Sequence, residues 1–100
     1  MGLLERIAAH RAAIAGIAAK HGARRVRVFG SVARREADEE SDLDLLVEME
    51  PGRSLFDMGA LLIELEQLLG CSVDIVTEAG MHDAMRERVL REAVALEDVA

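Results

Sequence analysis

Two short segments decide the fold of this chain: Val28-Phe29-Gly30-Ser31-Val32-Ala33-Arg34 and Ser41-Asp42-Leu43-Asp44-Leu45-Leu46-Val47. In the second segment one set of alternate positions is apolar, and the pattern continues to Met49. A period of two is typical of a strand with one face in a core. The first segment ends a shorter alternating run at a glycine. We therefore predict one strand over residues 26–29 that stops at Gly30, and a second over residues 42–49.

The residues on either side predict further helices and strands. Leucine and isoleucine at spacings of three, four and seven predict one amphipathic helix over residues 3–20, ended by His21-Gly22. After Pro51-Gly52, a leucine-rich face predicts a second helix, with Ser54 as N-cap and Gly70 as stop. Residues 71–78 predict another strand, and residues 81–96 a last helix. We expect one domain spanning residues 1–100, in which helices and strands alternate.

Apolar residues are frequent near the end of the chain. Val89, Leu90, Val94, Leu96 and Val99 are numerous for the end of so small a domain. Some of them are expected to face a partner or a second copy, so a homo- or hetero-oligomer stays open.

Composition excludes several classes of function. Aromatic residues are 2% of the chain and the formal net charge is −7. Binding of single-stranded nucleic acid uses aromatic stacking, and contact with the phosphate backbone requires a cationic surface. We therefore expect no direct nucleic-acid binding. Charged residues interrupt the first twenty positions at helical intervals, which argues against a signal peptide or membrane span. A single cysteine, Cys71, suits a reducing cytoplasm.

The acidic pair in the strongest strand indicates a metal site. Asp42 and Asp44 are two residues apart, so a strand directs both carboxylates to one face. Neighbouring carboxylates repel, and magnesium, which prefers hard oxygen ligands, relieves that repulsion. Asp74, in the next strand, supplies a third carboxylate. Three such groups suffice for two divalent ions, the arrangement used for displacement at phosphorus. The plainer interpretations are a solvated edge strand for the pair and a surface position for Asp74.

The glycine-serine pair indicates a phosphate site. Ser31 lies eleven residues before Asp42, where a strand ends and a helical turn begins. Backbone N–H groups and the Ser31 hydroxyl can face a phosphate there, while Gly30 permits close approach. Arg34, one turn further on, could add a charge-assisted contact. The plainer interpretation is that Ser31 only caps the turn.

These residues resemble the polymerase β-like nucleotidyltransferases, whose signature is glycine-serine, about ten residues, then aspartate-x-aspartate. The nearest subgroup is the MNT-type minimal nucleotidyltransferases of prokaryotes, and the similarity runs from about Val26 to Val76. The resemblance implies an α/β (α+β) fold with a small mixed β-sheet flanked by helices, as in the polymerase β-like palm. It also implies MgATP as the nucleotide and Asp42 and Asp44 as metal ligands. Asp74 is implied as the base or a metal ligand, and Gly30 and Ser31 as triphosphate contacts.

The resemblance further implies a partner. Many relatives are antitoxins paired with a HEPN-type RNase toxin, and some transfer AMP to a tyrosine hydroxyl of that toxin. The competing hypothesis is a binding module that neutralises its partner by occlusion. An enzyme that modifies small molecules is less favoured, because it needs a second domain to hold the acceptor. One departure concerns Arg35, where relatives often have glycine, and it puts the path of the loop in question.

Overall fold

Four strands form a single sheet in the computed structural model, which describes residues 2–38 and 40–99. The strands are β1 (Ala23–Phe29), β2 (Leu43–Met49), β3 (Val73–Thr77) and β4 (Val94–Ala95). Their order across the sheet is β3-β2-β1-β4. β1 runs antiparallel to β2 and to β4, whereas β2 and β3 are parallel. The expected mixed sheet with flanking helices is therefore confirmed.

Helices occupy the remaining regular segments: α1 (Leu3–Ala9), α2 (Arg11–Lys20), α3 (Gly30–Ala33), α4 (Leu55–Leu69) and α5 (Asp83–Glu92), followed by a 3-10 helix (Leu96–Asp98). The predicted ends of α4 are confirmed. The Ser54 hydroxyl accepts the Phe56 N–H and the Asp57 carboxylate accepts the Ser54 N–H, which forms a capping box. Gly70 closes the helix in the left-handed conformation, with φ 67°. Among the described residues, no helix combines the length and apolar composition needed to cross a bilayer.

The alternation in β2 separates two layers of apolar side chains. Leu43, Leu45 and Val47 pack into the larger cluster, the main core, whereas Leu46 faces the opposite side of the sheet. The main core is completed by α1, α2 and α4. The smaller cluster, the minor core, lies beside α5 and consists of Phe29, Leu46, Met81 and Val89.

The predicted single N-terminal helix is wrong, because the chain bends at His10. This residue has φ −109° and ψ 17°, and it separates α1 from α2. Its N–H reaches the carbonyl oxygens of both Arg6 and Ile7, and its ring Nδ1 lies 2.9 Å from the Arg6 carbonyl oxygen. The local pattern contains no glycine or proline at the bend. Packing explains it, since both helices bury apolar residues in the same main core.

The predicted last helix is also wrong at its C-terminal end. α5 stops at Glu92, and Val94–Ala95 then pairs with Arg27 and Val28 of β1. This short strand satisfies backbone groups on an otherwise open edge of the sheet. Three of the apolar residues near the chain end are not available to the partner or second copy that the sequence left open. Val89, Leu96 and Val99 are buried within the chain.

Candidate active site

The register of the sheet brings the predicted acidic residues together. Asp44 is paired with Asp74 in the parallel ladder of β2 and β3, and with Phe29 in the antiparallel ladder of β1 and β2. Paired residues on neighbouring strands direct their side chains to the same face. Asp44 therefore stands between Asp74 and the end of β1, where the chain turns into α3 at Gly30.

Gly30 permits this close approach. Its φ is 74°, a left-handed conformation that favours glycine. A Cβ atom at this position would lie 2.2 Å from Oδ2 of Asp44, well inside van der Waals contact. A side chain at residue 30 would therefore force the Asp44 carboxylate or the turn to shift.

A cleft of about 340 Å³ opens beside this turn. It is lined by five of the six residues predicted to form the site, namely Gly30, Ser31, Arg34, Asp42 and Asp44. The sixth, Asp74, does not line the cleft and is exposed next to Asp44 on β3. Four lining residues were not expected from the sequence: Phe29, Ser41, Arg88 and Glu92.

Negative charge accumulates around Asp44. Burial raises the pKa of its carboxyl group above the ordinary value, and the charges of Asp74 and then Asp42 raise it further. The charge of Arg34 acts in the opposite direction. Asp42 and Asp74 themselves are exposed. An ionised Asp44 is therefore costly here unless a cation lies close to it.

The donor set fits a magnesium ion that is shared with a nucleotide. In residues 2–38 and 40–99, no three His, Cys, Asp or Glu side chains converge closely enough to hold a metal ion by themselves. Magnesium does not need such a cage, because it keeps several waters and commonly uses one or two carboxylates together with substrate phosphates. Asp42 and Asp44 line the same cleft as the Gly30–Ser31 turn, which meets this requirement.

Glu92, at the end of α5, contacts the turn directly. Its Oε1 accepts the Gly30 N–H at 2.5 Å and a hydrogen bond from Arg34 Nη1 at 3.0 Å. Arg34 Nε also reaches Glu36 at 3.3 Å. The hydrogen bond to Glu92, and to a lesser extent that to Glu36, raises the pKa of Arg34, so the guanidinium stays charged. The only sequence signal for this wall of the cleft is the spacing of four between Arg88 and Glu92, which places both on one side of a helix.

Arg35 lies in the loop after α3, in a strained backbone conformation. Its φ is 60°, a left-handed conformation that an L-residue rarely adopts. The next residue, Glu36, donates its N–H to the Ser31 carbonyl oxygen at 2.8 Å and closes the turn. Arg35 thus takes a conformation that favours glycine, at the cost of backbone strain.

The sequence is similar to known nucleotidyltransferases. The family model described as "Nucleotidyltransferase domain" matches residues 12–96. MJ0435 of Methanocaldococcus jannaschii, assigned as a protein adenylyltransferase, is 48% identical over 75% of this chain and 81% of its own length. The protein adenylyltransferase MntA of Thermococcus cleftensis is 43% identical over 75% of this chain and 76% of its own length.

Solved structures give the same fold. A structure assigned as a minimal nucleotidyltransferase superposes with a TM-score of 0.82 and 58% identity, covering 91% of this chain and 93% of that one. A toxin–antitoxin crystal structure with AMP-PNP superposes with a TM-score of 0.74. Its identity is 18%, and the match covers 86% of this chain and 71% of that one, so it supports the fold alone.

Proposed function

The chain belongs to the nucleotidyltransferase domain family, and we propose that it transfers AMP from ATP to a hydroxyl group of a partner protein. The observation that carries this proposal is the sheet register, which sets Asp44 beside Asp74 and next to the Gly30–Ser31 turn. The family supports nucleotidyl transfer as the reaction. Two relatives assigned as protein adenylyltransferases support a protein as the acceptor.

The residues of the cleft divide the work of the reaction. The Ser31 hydroxyl and the backbone of the turn contact the triphosphate, and Arg34 adds a cation on the same side. Asp74 accepts the proton of the acceptor hydroxyl. The acceptor oxygen then bonds to the α-phosphorus as the bond from that phosphorus to the bridging oxygen breaks, and pyrophosphate leaves. Catalysis consists mainly of positioning and charge stabilisation.

Magnesium completes the site in this proposal. Asp42 and Asp44 would hold one or two ions, with Asp74 as a further ligand, and the bound metal would supply positive charge next to the phosphates. The raised pKa of Asp44 supports this assignment, because the carboxylates create an electrostatic demand that a divalent cation meets.

The proposed partner is a toxin. A toxin–antitoxin crystal structure has this fold, and the sequence resemblance adds a HEPN-type RNase as the toxin and a tyrosine as the acceptor. In this proposal the chain acts in the cytoplasm as the antitoxin and blocks the toxin by modifying it.

One observation favours the alternative, a module that neutralises its partner by occlusion. Leu55 and Phe56, at the start of α4, are 82% and 91% exposed, and Ile63 is exposed two turns later. Exposed large apolar side chains are common at protein interfaces. Asp44 lies at the start of β2, whereas α4 begins shortly after the last residue of β2, Met49. The start of α4 is therefore near the end of β2 that is distant from Asp44. A partner bound there would not need the cleft.

Intact-mass spectrometry of the partner tests the proposal. The partner is incubated with magnesium, ATP and either the native chain, the Asp42→Asn, Asp44→Asn double variant, or the control Asp98→Asn, an exposed aspartate outside the cleft. We expect a mass gain of one AMP with the native chain and the control only. A partner that is inhibited without any gain in mass would contradict AMP transfer and support occlusion.

A further inference from the structure

We infer that Glu92 is a positioning residue for the proposed transfer, because its carboxylate fixes the Gly30–Ser31 turn and orients the Arg34 guanidinium. The inference deepens the proposed function and rests on it, since the turn and Arg34 matter only if a nucleotide binds there. Neither the family signature nor the acidic cluster includes this residue, which lies 62 positions after Gly30.

Glu92 is well placed for this task. Its side chain is 18% exposed, and one oxygen, Oε1, receives both the Gly30 N–H and the Arg34 guanidinium. It is the last residue of α5, and the next segment returns along β1 as β4. The helix end and the sheet edge therefore hold the backbone of Glu92 from both sides. An anchored carboxylate restricts the turn more than an exposed one could.

Glu92 also competes with Asp42 and Asp44 for the Arg34 guanidinium. The pKa of Asp44 is raised overall, and the charge of Arg34 opposes that rise, so the guanidinium lies within electrostatic reach of the acidic cluster. Without Glu92, Glu36 would be the remaining hydrogen-bond partner of Arg34 among the described residues. The Nη1 end of the guanidinium would then be free to turn toward Asp42 and Asp44, where it would compete with a metal ion for the same carboxylates. The hydrogen bond to Glu92 holds Arg34 on the α5 side of the cleft, available to a phosphate.

A different role would follow if the carboxylate simply occupied the place of a phosphate. Oε1 accepts the Gly30 N–H, and a phosphate oxygen could accept the same group. In that case, removal of the Glu92 side chain would leave the Gly30 N–H free for a phosphate oxygen, and the nucleotide would bind more tightly. The two roles predict opposite changes in affinity, so one binding measurement separates them.

Calorimetric titration of the whole chain with magnesium and AMP-PNP is the test, because it needs no partner and no turnover. Three variants separate the effect of side-chain length at position 92 from the effect of its charge. Glu92→Gln keeps the length and an accepting oxygen, Glu92→Asp keeps the charge but is one methylene short, and Glu92→Ala removes both. The control is Glu87→Ala, an exposed acidic residue of α5 that does not line the cleft.

We expect binding to weaken about tenfold in the Ala and Asp variants and to stay within about threefold of native in the Gln variant and the control. Equal affinity in all variants, or tighter binding in Glu92→Ala, would overturn the inference. If Glu92→Ala does not fold, the Gln and Asp variants decide. Failure of the native chain to bind AMP-PNP would instead count against the proposed function, so the two failures are distinct.

A double-mutant cycle with Arg34→Ala tests whether Glu92 acts through Arg34. A general structural role would add to the loss caused by Arg34→Ala, because the two changes would be independent. We expect less than additive losses in AMP-PNP affinity when Arg34→Ala and Glu92→Ala are combined. Fully additive losses would remove the orienting part of the inference.

Discussion

The two faces of the sheet differ in the number of buried apolar residues that pack against them. On one face the main core contains sixteen buried residues of the described chain, drawn from all the longer helices except α5. On the other face the minor core contains four, and α5 is the helix that covers it. Asp44 and Asp74 lie on this second face, beyond the end of the minor core.

The difference shows how a small chain can provide both stability and a cleft. Buried apolar area supplies most of the free energy of folding, and the main core supplies most of that area. The thinly covered face leaves polar groups exposed at one end, which is the site proposed for the nucleotide. Substitutions on the two faces should therefore separate stability from binding, and the following predictions test that separation in order of decreasing effect.

The largest effect is expected in the main core. Leu61 is fully buried there, and Leu61→Ala should lower the free energy of unfolding by about 4 kcal/mol. Met81 belongs to the minor core and is slightly exposed, so Met81→Ala should cost about 2 kcal/mol. Urea denaturation measures both values. Equal losses would show that the two cores support the fold equally, which would break the comparison.

At the cleft, Gly30→Ala should lower the free energy of unfolding by about 2 kcal/mol, because it combines a positive φ with a Cβ placed against Asp44. The stabilisation by magnesium and AMP-PNP should disappear with it. Thermal melting with and without the ligands measures both effects. The control is Gly16→Ala in α2, where a Cβ meets nothing within 4 Å, and it should raise stability instead. Retained ligand stabilisation in Gly30→Ala would show that the turn tolerates a side chain.

Asp44→Asn should raise the melting temperature of the ligand-free chain by a few degrees. The folded-state pKa of Asp44 is raised, so the favourable contribution of the protonated form is present at low pH and is lost as pH rises through that pKa. At neutral pH the ionised group therefore destabilises the fold. Glu48→Gln, an exposed position on the same strand, is the matched control. A lower melting temperature for Asp44→Asn would contradict the electrostatic account. An increase in its melting temperature on addition of magnesium and AMP-PNP would contradict the proposed role of Asp44 as a metal ligand.

The smallest effect is expected at Arg35, which belongs to neither core. Arg35→Gly should raise the free energy of unfolding by up to about 1 kcal/mol, because glycine adopts the left-handed conformation without strain. Arg91→Gly, in the exposed part of α5, should lower it by a similar amount. Urea denaturation of the pair checks the sign. Destabilisation by Arg35→Gly would mean that the arginine side chain contributes more than its backbone strain costs.

Local patterns made much of the fold predictable. The alternation of β2 and the capping residues of α4 each act over a few residues, so the sequence contains the whole signal. Asp42 and Asp44 could be placed on one face for the same reason. The grouping of Asp74 with Asp44 was expected from neighbouring strands, and the register confirms that they are paired. The roles of these residues in catalysis stay predictions.

Distant contacts explain what the sequence did not predict. The bend at His10 follows from docking two helices on one core, and no local residue requires it. β4 has only two residues and is stabilised by pairing with β1, so its own residues carry no strand pattern. Glu92 is one glutamate in a charged helix until the fold brings it to Gly30. A pairwise contact across the chain has no periodic signature.

The alternation of β2 also protects the chain from a specific folding error. If the strand paired one residue out of register, Leu45 would turn into the cleft and Asp44 into the main core. Both changes are unfavourable, because an ionised carboxylate would lose its water and a leucine would be exposed to water. The aspartates proposed for chemistry therefore also specify the alignment of the central strand. A deletion of one residue in β2 would disrupt both at once.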